Sequence, residues 1–318
     1  SRLSTPMSIK SNDQLIYEIG ITLLPGVGDV NAKKLISKCG SAEEVFKQTK
    51  NMLLKIDGIG IKLAQAIVNQ NVLKRAEEEV AFVEKNKIQA LFYTDKNFPR
   101  RLKRAFDSPV LIYYTGNTDL NQSKIIAVVG TRKISQQGKD ICDKIISDFK
   151  DEEVLIVSGL AYGVDTQAHK TSLDQGLKTV GVLAHGLDRL YPFANKQLAK
   201  RMLIQGGLVT DFTSGTNPDA PNFPKRNRVI AGLADATLVI ESDTKGGALI
   251  TADIANSYNR DVFAVPGRPG DKYSRGTNFL IRTNRASLVE SADDIRYLMG
   301  WDKHEPPHII QKKLLQKP

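Results

Sequence analysis

Residues 124–169 read KIIAVVGTRKISQQGKDICDKIISDFKDEEVLIVSGLAYGVDTQAH, and this stretch decides the fold. Two continuous apolar, β-branched runs, at 125–129 and 154–157, flank a helical segment. An uninterrupted apolar run is what a strand buried on both faces requires. The alternation continues through TVGVLA (179–184), GLVTDF (207–212), ATLVIE (236–241), DVFAVPG (261–267) and ASLVES (286–291), with helical segments between most of them. Such a pattern predicts a mostly parallel sheet covered on both faces: an α/β, doubly wound, extended Rossmann-like fold. Ligands of these sheets sit outside the carboxyl ends of the strands. The chemistry is therefore expected just after each strand.

Upstream, residues 79–122 predict a helix, a strand at Ala90–Tyr93, a basic turn and a second strand at Val110–Tyr114. Arg100, Arg101, Lys103 and Arg104 in that turn read as a solvated face. Before this the pattern is all-helical, with two copies of one motif, LLPGVGDVNAKKLI (23–36) and KIDGIGIKLAQAIV (55–68). Each has an apolar residue, a Gly-x-Gly hairpin and a helix, as in a tandem helix-hairpin-helix, SAM-like module. Gly26, Gly28, Gly58 and Gly60 are expected to take positive φ in tight turns. Free N–H groups after such turns suit a DNA phosphate, with Lys33, Lys34 and Lys62 near enough to assist. The competing reading is a small bundle that uses its hairpins only for packing. The expected organisation is a tag remnant at 1–6 ahead of Met7, a helical domain at 7–78, a Rossmann-like domain at 79–300 and a linker or tail at 301–318.

The 318 residues carry 45 Lys and Arg against 35 Asp and Glu, a net charge of +10. A basic excess attracts polyanions without naming one. It is spread along the chain, so a patch formed by folding is expected rather than a basic tail. No apolar run is long enough to span a membrane. Cys39 and Cys142 form no CxxC pair, which argues against a metal site or disulfide framework and fits a reducing cytoplasm.

The strand ends recur in one chemistry. After the first comes Gly130-Thr131-Arg132, whose guanidinium fork suits phosphate oxygens. Neither GxGxxG nor GxxxxGK[ST] is present, so a dinucleotide or ATP site is weakly supported. After the second comes Ser158-Gly159, then Gly163, Asp165 and His169 before and within a helix. Asp165 and His169 share a helical face, but no third metal ligand stands at a compatible spacing. His185 and Asp188 follow the third strand in a long loop. After the fourth come Phe223-Pro224-Lys225-Arg226-Asn227-Arg228, cations at a helix start where the dipole opposes them. That conflict points to phosphate binding there, with Phe223 placed to stack on a base. After the fifth, Lys245-Gly246-Gly247 forms a backbone nest ahead of a helix.

The motifs VGTR, SGLAYGVDTQAH, GLDRLYP, NFPKRNRVIAGLADATLVIE, GGALITA and DVFAVPG, in this order, resemble the DNA-processing protein A (DprA/Smf) family over about residues 17–295. The resemblance implies a cytoplasmic bacterial homodimer that binds single-stranded DNA, uses no cofactor and helps load RecA recombinase in natural transformation. It implies a phosphate pocket at Gly130, Thr131, Arg132, Ser158, Gly159, Arg226, Asn227, Arg228, Lys245, Gly246 and Gly247, with Phe223 against a base. The chain departs from the family pattern at Thr210-Asp211, Lys245-Gly246-Gly247 and Arg285-Ala286. Many relatives also carry a C-terminal winged-helix domain that is not seen in this sequence.

Three functions compete. A binding module without turnover fits phosphate-site chemistry that lacks a nucleophile and base pair. An enzyme that cleaves the N-glycosidic bond of nucleotides is the alternative, with Asp253 as its acid. An adaptor that recruits RecA and touches DNA weakly is the third.

Overall fold

The computed structural model describes residues Lys10–Trp301. The expected tag remnant and nearly all of the expected 301–318 tail lie outside the described residues. Six helices come first: α1 (Asn12–Leu23), α2 (Asp29–Cys39), α3 (Ala42–Phe46), α4 (Lys50–Leu53), α5 (Ile61–Val68) and α6 (Leu73–Lys85). Ser11, Ser41 and Thr49 cap α1, α3 and α4 by accepting a backbone N–H three residues on, the bond that satisfies an orphan donor of the first turn. The expected boundary at residue 78 falls inside α6. No glycine or proline interrupts that helix, and Ala76, Val80 and Val83 line its buried side at helical spacing.

The two hairpins are built alike. Gly26 (φ +73°) and Gly58 (φ +82°) take the left-handed region, while Gly28 and Gly60 are extended N-caps of α2 and α5. Positive φ, expected at four glycines, is thus needed at two. A Cβ on Gly26 would stand 3.2 Å from Leu63, and one on Gly58 3.1 Å from Nζ of Lys34. Each hairpin therefore rests on the helix of the other motif.

The remaining elements are β1 (Gln89–Phe92), α7 (Arg100–Lys103), β2 (Leu111–Gly116), β3 (Lys124–Val129), α8 (Gln136–Ser147), β4 (Val154–Ser158), α9 (Val164–Asp174), β5 (Thr179–Val182), α10 (Lys196–Ile204), β6 (Gly206–Thr210), α11 (Asn222–Leu233), β7 (Ala236–Val239), α12 (Gly247–Ser257), β8 (Asp261–Ala264), α13 (Arg275–Arg282), β9 (Ser287–Leu288) and α14 (Ala292–Met299). They form one sheet in the order β1-β2-β6-β5-β4-β3-β7-β8-β9. From β6 to β9 all neighbours are parallel; β2 joins β6 antiparallel and β1 extends that edge. The chain runs one way from β3 to β6 and then returns to β7 on the other side of β3. That reversal is the topological switch point, where open α/β sheets bind ligands.

Two cores cover the parallel strands. One packs Val229, Ile230 and Leu233 of α11 and Leu249, Ala252 and Ala255 of α12 on Ile125, Ala127 and Val129. The other packs Cys142, Ile145 and Ile146 of α8 and Ala168 of α9 on Ile126 and Val128. The helical domain buries Leu35, Leu53 and Ile67 in a cluster shared with Phe92, Val110, Leu111 and Tyr113 of the antiparallel edge. Both cysteines are free thiols, Cys142 buried and Cys39 half-buried.

Candidate nucleic-acid interface

A cleft of about 270 Å³ opens at the switch point. Its walls are the loop after β3 (Gly130, Thr131, Arg132), the first turns of α11 (Phe223, Arg226, Asn227), the start of α12 (Gly246, Gly247, Ala248), Ala161 and Asp165 beside α9, and Ser242 and Asp243 after β7. A larger cavity of about 690 Å³ lies beside α8, lined by Asp140, Glu241, Asp271 and Glu290 against Lys144 and Lys272. Four carboxylates facing two ammonium groups make it a poor phosphate site. Chemistry, not volume, therefore favours the switch-point cleft.

Arg226 is the fixed cation of the cleft. It is 5% exposed; Nη1 donates to the carbonyls of Gly159 (2.8 Å) and Val182 (2.9 Å), and Nε to Oδ1 of Asn227 (3.1 Å). Burial lowers its pKa to about 10, with Asp165 pulling the other way, so it stays charged at neutral pH. Asp165 accepts N–H groups of Gly159 and Ala161. Burial pushes that carboxyl upward against the attraction of Arg226. Arg132, by contrast, is exposed. Its guanidinium carbon lies 5.2 Å from the Phe223 ring centroid, and that of Arg226 lies 5.5 Å from the same centroid. The aromatic face thus steers two cations toward one cleft.

The start of α12 faces the same space. Gly246 is its N-cap, no side chain caps it, and its first turn holds no acidic residue. The N–H groups of Gly247 and Ala248 have no intrahelical acceptor in that turn, which leaves them for an anion. A Cβ on Gly247 would meet nothing within 4 Å, whereas one on Gly246 would stand 2.5 Å from Oγ of Ser242.

Several expected site residues are employed elsewhere. Ser158 is fully buried and donates to the carbonyl of Val128. Gly159 is buried too, its N–H held by Asp165 and its carbonyl by Arg226. Both support the cleft from behind rather than line it. Arg228 stands two residues from Arg226, a spacing that sends the side chains to different faces of α11. Its Nη2 pairs with Asp211 (2.8 Å) and with Asp29 of the helical domain (3.0 Å). Arg228 is therefore a tie between domains, and Asp211, one of the departures from the family pattern, is its partner. Lys33 is drawn into the same joint: Nζ donates to the carbonyl (2.6 Å) and hydroxyl (2.7 Å) of Ser108, and burial lowers its pKa. Gly130 is required by packing, since a Cβ there would stand 2.4 Å from Val164. Lys245 is exposed just ahead of α12, outside the cleft wall. Gly26, Gly28, Gly58, Gly60 and Lys62 remain exposed on the helical domain.

The histidines and the candidate acid are also committed. His169 is buried; Nε2 accepts the N–H of Leu160 (3.2 Å), which puts the proton on Nδ1, against Oγ1 of Thr179 (2.7 Å). Burial lowers its pKa to about 3. His185 spends both ring nitrogens on Gly186 and Tyr191. Asp253 pairs with Arg285 on the outer side of α12 and does not line the cleft. Among the described residues no cluster of His, Cys, Asp or Glu could hold a metal ion, and no helix is long and apolar enough to cross a membrane.

Residue-by-residue reading missed Glu241. Its Oε1 accepts both the N–H (3.1 Å) and the hydroxyl (2.8 Å) of Ser135, the N-cap of α8. In nucleotide-binding Rossmann domains the helix after the first strand holds a phosphate at that position. Here a carboxylate from the loop after β7 sits there, and the sequence signal was the absence of GxGxxG.

Comparisons with known proteins bear on the family and the fold. The family model for DNA recombination-mediator protein A matches residues 89–300, and that for a SAM-like helix-hairpin-helix tandem matches residues 20–70. Protein Smf of Synechocystis is 34% identical over 295 residues, covering 91% of this chain and 74% of the relative. DNA processing protein DprA of Streptococcus pneumoniae is 41% identical over 201 residues, 63% of this chain and 71% of the relative. The X-ray structure of the pneumococcal protein superposes with a TM-score of 0.78 at 31% identity, over 94% of this chain and all of that one. A DprA structure from Helicobacter pylori, described for its single-stranded DNA binding mode, gives 0.62 at 25% identity over 69% of this chain and 98% of that one. With a family match across the whole α/β sheet and relatives above 30% identity along most of both chains, the protein belongs to the DNA recombination-mediator protein A (DprA/Smf) family.

Proposed function

We propose that this protein grips the phosphate backbone of single-stranded DNA in the switch-point cleft. We further propose that it acts as a homodimer in the cytoplasm to pass the strand to a RecA recombinase during DNA uptake. The observation that carries the reading is the convergence of Arg132, Arg226 and the uncapped start of α12 on one cleft. The net charge of +10 supports a polyanionic partner. The Helicobacter pylori relative is described as binding single-stranded DNA, and the pneumococcal relative is named for DNA processing. Arg226 is held by two carbonyls before any ligand arrives, so little reorganisation accompanies binding.

Binding without turnover is the reading that the site chemistry favours. His169 and His185 have both ring nitrogens engaged, and Asp165 accepts two backbone N–H groups in the field of the Arg226 charge. None of the three is free to exchange a proton with a substrate. The test is fluorescence anisotropy with a labelled oligothymidylate and its duplex counterpart at two salt concentrations. Tight, salt-sensitive binding that prefers the single strand is expected. A preference for duplex would move the interface to the exposed hairpins, and a flat salt response would end the phosphate reading.

A further inference from the structure

Two exposed aromatic side chains, Tyr162 (49%) and Tyr191 (44%), line a recess beside the cleft, and a third, Phe193 (72%), follows Tyr191 by two residues. Tyr162 lies between β4 and α9; the other two lie in the loop from β5 to α10. Exposed aromatics beside a recess signal an occupant. Tyr162 and Tyr191 line a narrow recess with Leu183 and Pro192. That recess shares Arg132, Ala161, Phe223 and Arg226 with the phosphate cleft, so the two are continuous. Phe193, in the same loop as Tyr191, has Nζ of Lys196 5.3 Å from its ring centroid. The half-buried Phe223 ring has two guanidinium groups within 5.5 Å of its centroid, and Tyr191 meets it at 6.2 Å, edge to face.

We infer that Tyr162, Tyr191 and Phe193 form the platform on which bases stack. The backbone lies in the cleft, and the bases turn toward the carboxyl ends of β4 and β5. Phe223 positions Arg132 and Arg226 beside that platform. This inference rests on the single-strand reading above. Stacking on rings tolerates every base, because each offers a π-face. His185, in the recess wall, has both ring nitrogens occupied and reads no base edge.

The test uses the full chain and two probes: oligothymidylate, and inorganic polyphosphate, which offers phosphates without bases. The double variant Tyr162→Ala/Phe193→Ala trims two exposed rings, and thermal melting verifies its fold. It is expected to bind oligothymidylate at least about 30-fold more weakly, about 5-fold or more for each of two stacked bases lost. Its salt slope and its affinity for polyphosphate stay at the parent values. In Phe193→Trp, oligothymidylate quenches the new fluorescence relative to the parent, and polyphosphate does not. Unchanged oligothymidylate affinity and no quenching would overturn the platform and leave the rim to a protein partner. Equal loss for both probes would overturn it too, marking the rings as supports of the phosphate cleft. Failure of the parent protein to bind oligothymidylate at all would instead sink the single-strand reading, and the platform with it.

Discussion

Replacing Gly247 by Asp separates ligand binding from folding. Gly247 is the first residue of α12, and its missing Cβ points into open space. A side chain there meets no steric penalty. A carboxylate in the first turn interacts favourably with the helix dipole, by about 0.3–1 kcal/mol. Removing a glycine also restricts the unfolded chain, by about 0.4–1 kcal/mol where the backbone permits it. The melting temperature should therefore hold or rise. Binding should move the opposite way. The carboxylate takes the place of a phosphate on the N–H groups of Gly247 and Ala248 and repels the rest of the backbone. A hydrogen bond to a charged group is worth about 1.5–3 kcal/mol, so affinity falls about 10- to 100-fold. Anisotropy with oligothymidylate, beside a thermal melt of the same sample, measures both. Affinity within a factor of about two of the parent, in a protein that melts no lower, would refute phosphate binding at α12.

Other perturbations probe other parts. Arg132→Ala should weaken single-strand binding by about 1–3 kcal/mol and make its salt slope shallower by about one contact; equal slopes in an anisotropy salt series would remove Arg132 from the interface. Arg228→Ala should cost about 2–4 kcal/mol in urea unfolding, because it strands Asp211 and Asp29. That is less than a fully buried pair costs, since the Asp29 side chain is 27% exposed; a loss of DNA affinity without a loss of stability would return Arg228 to the cleft. His169 has a folded pKa of about 3 against about 6.5 unfolded, so between these values the unfolded chain holds the extra proton. Its contribution is fully present above pH 6.5 and is lost as pH falls toward 3, by up to about 1.4 kcal/mol per pH unit. Urea titrations at a series of pH values should show His169→Gln with a flatter acid limb than the parent.

The parallel strands were legible because each is buried on both faces and so reads as an unbroken apolar run, as at Ile125–Val129. The sheet edge that gathers ligands followed from that topology. Individual roles were less legible. Arg226 and Arg228 look equivalent in a basic cluster, yet α11 turns them apart, and one partner of Arg228 is Asp29, 199 residues away in sequence. Gly130 and Gly247 look alike, but only the second has open space at its Cβ; the first is fixed by Val164. Ser158 continues a buried strand by one residue, so its hydroxyl turns inward to Val128. Tyr162 and Tyr191 sit inside the motifs SGLAYGVDTQAH and GLDRLYP, yet nothing in those motifs says that their rings stand exposed.

The seat of Glu241 at the start of α8 bears on how such a protein fares among the free nucleotides of a cell. A Rossmann sheet ordinarily offers that helix to the phosphates of ATP or NAD, which are abundant. Here the fold supplies its own anion, and a Cβ on Gly138 would stand 1.5 Å from Oε1 of Glu241, so only glycine admits it. An occupant that is part of the chain never dissociates. The metabolite seat is closed from within, and on the proposed single-strand reading the neighbouring cleft takes a polymer that reaches it with many phosphates at once.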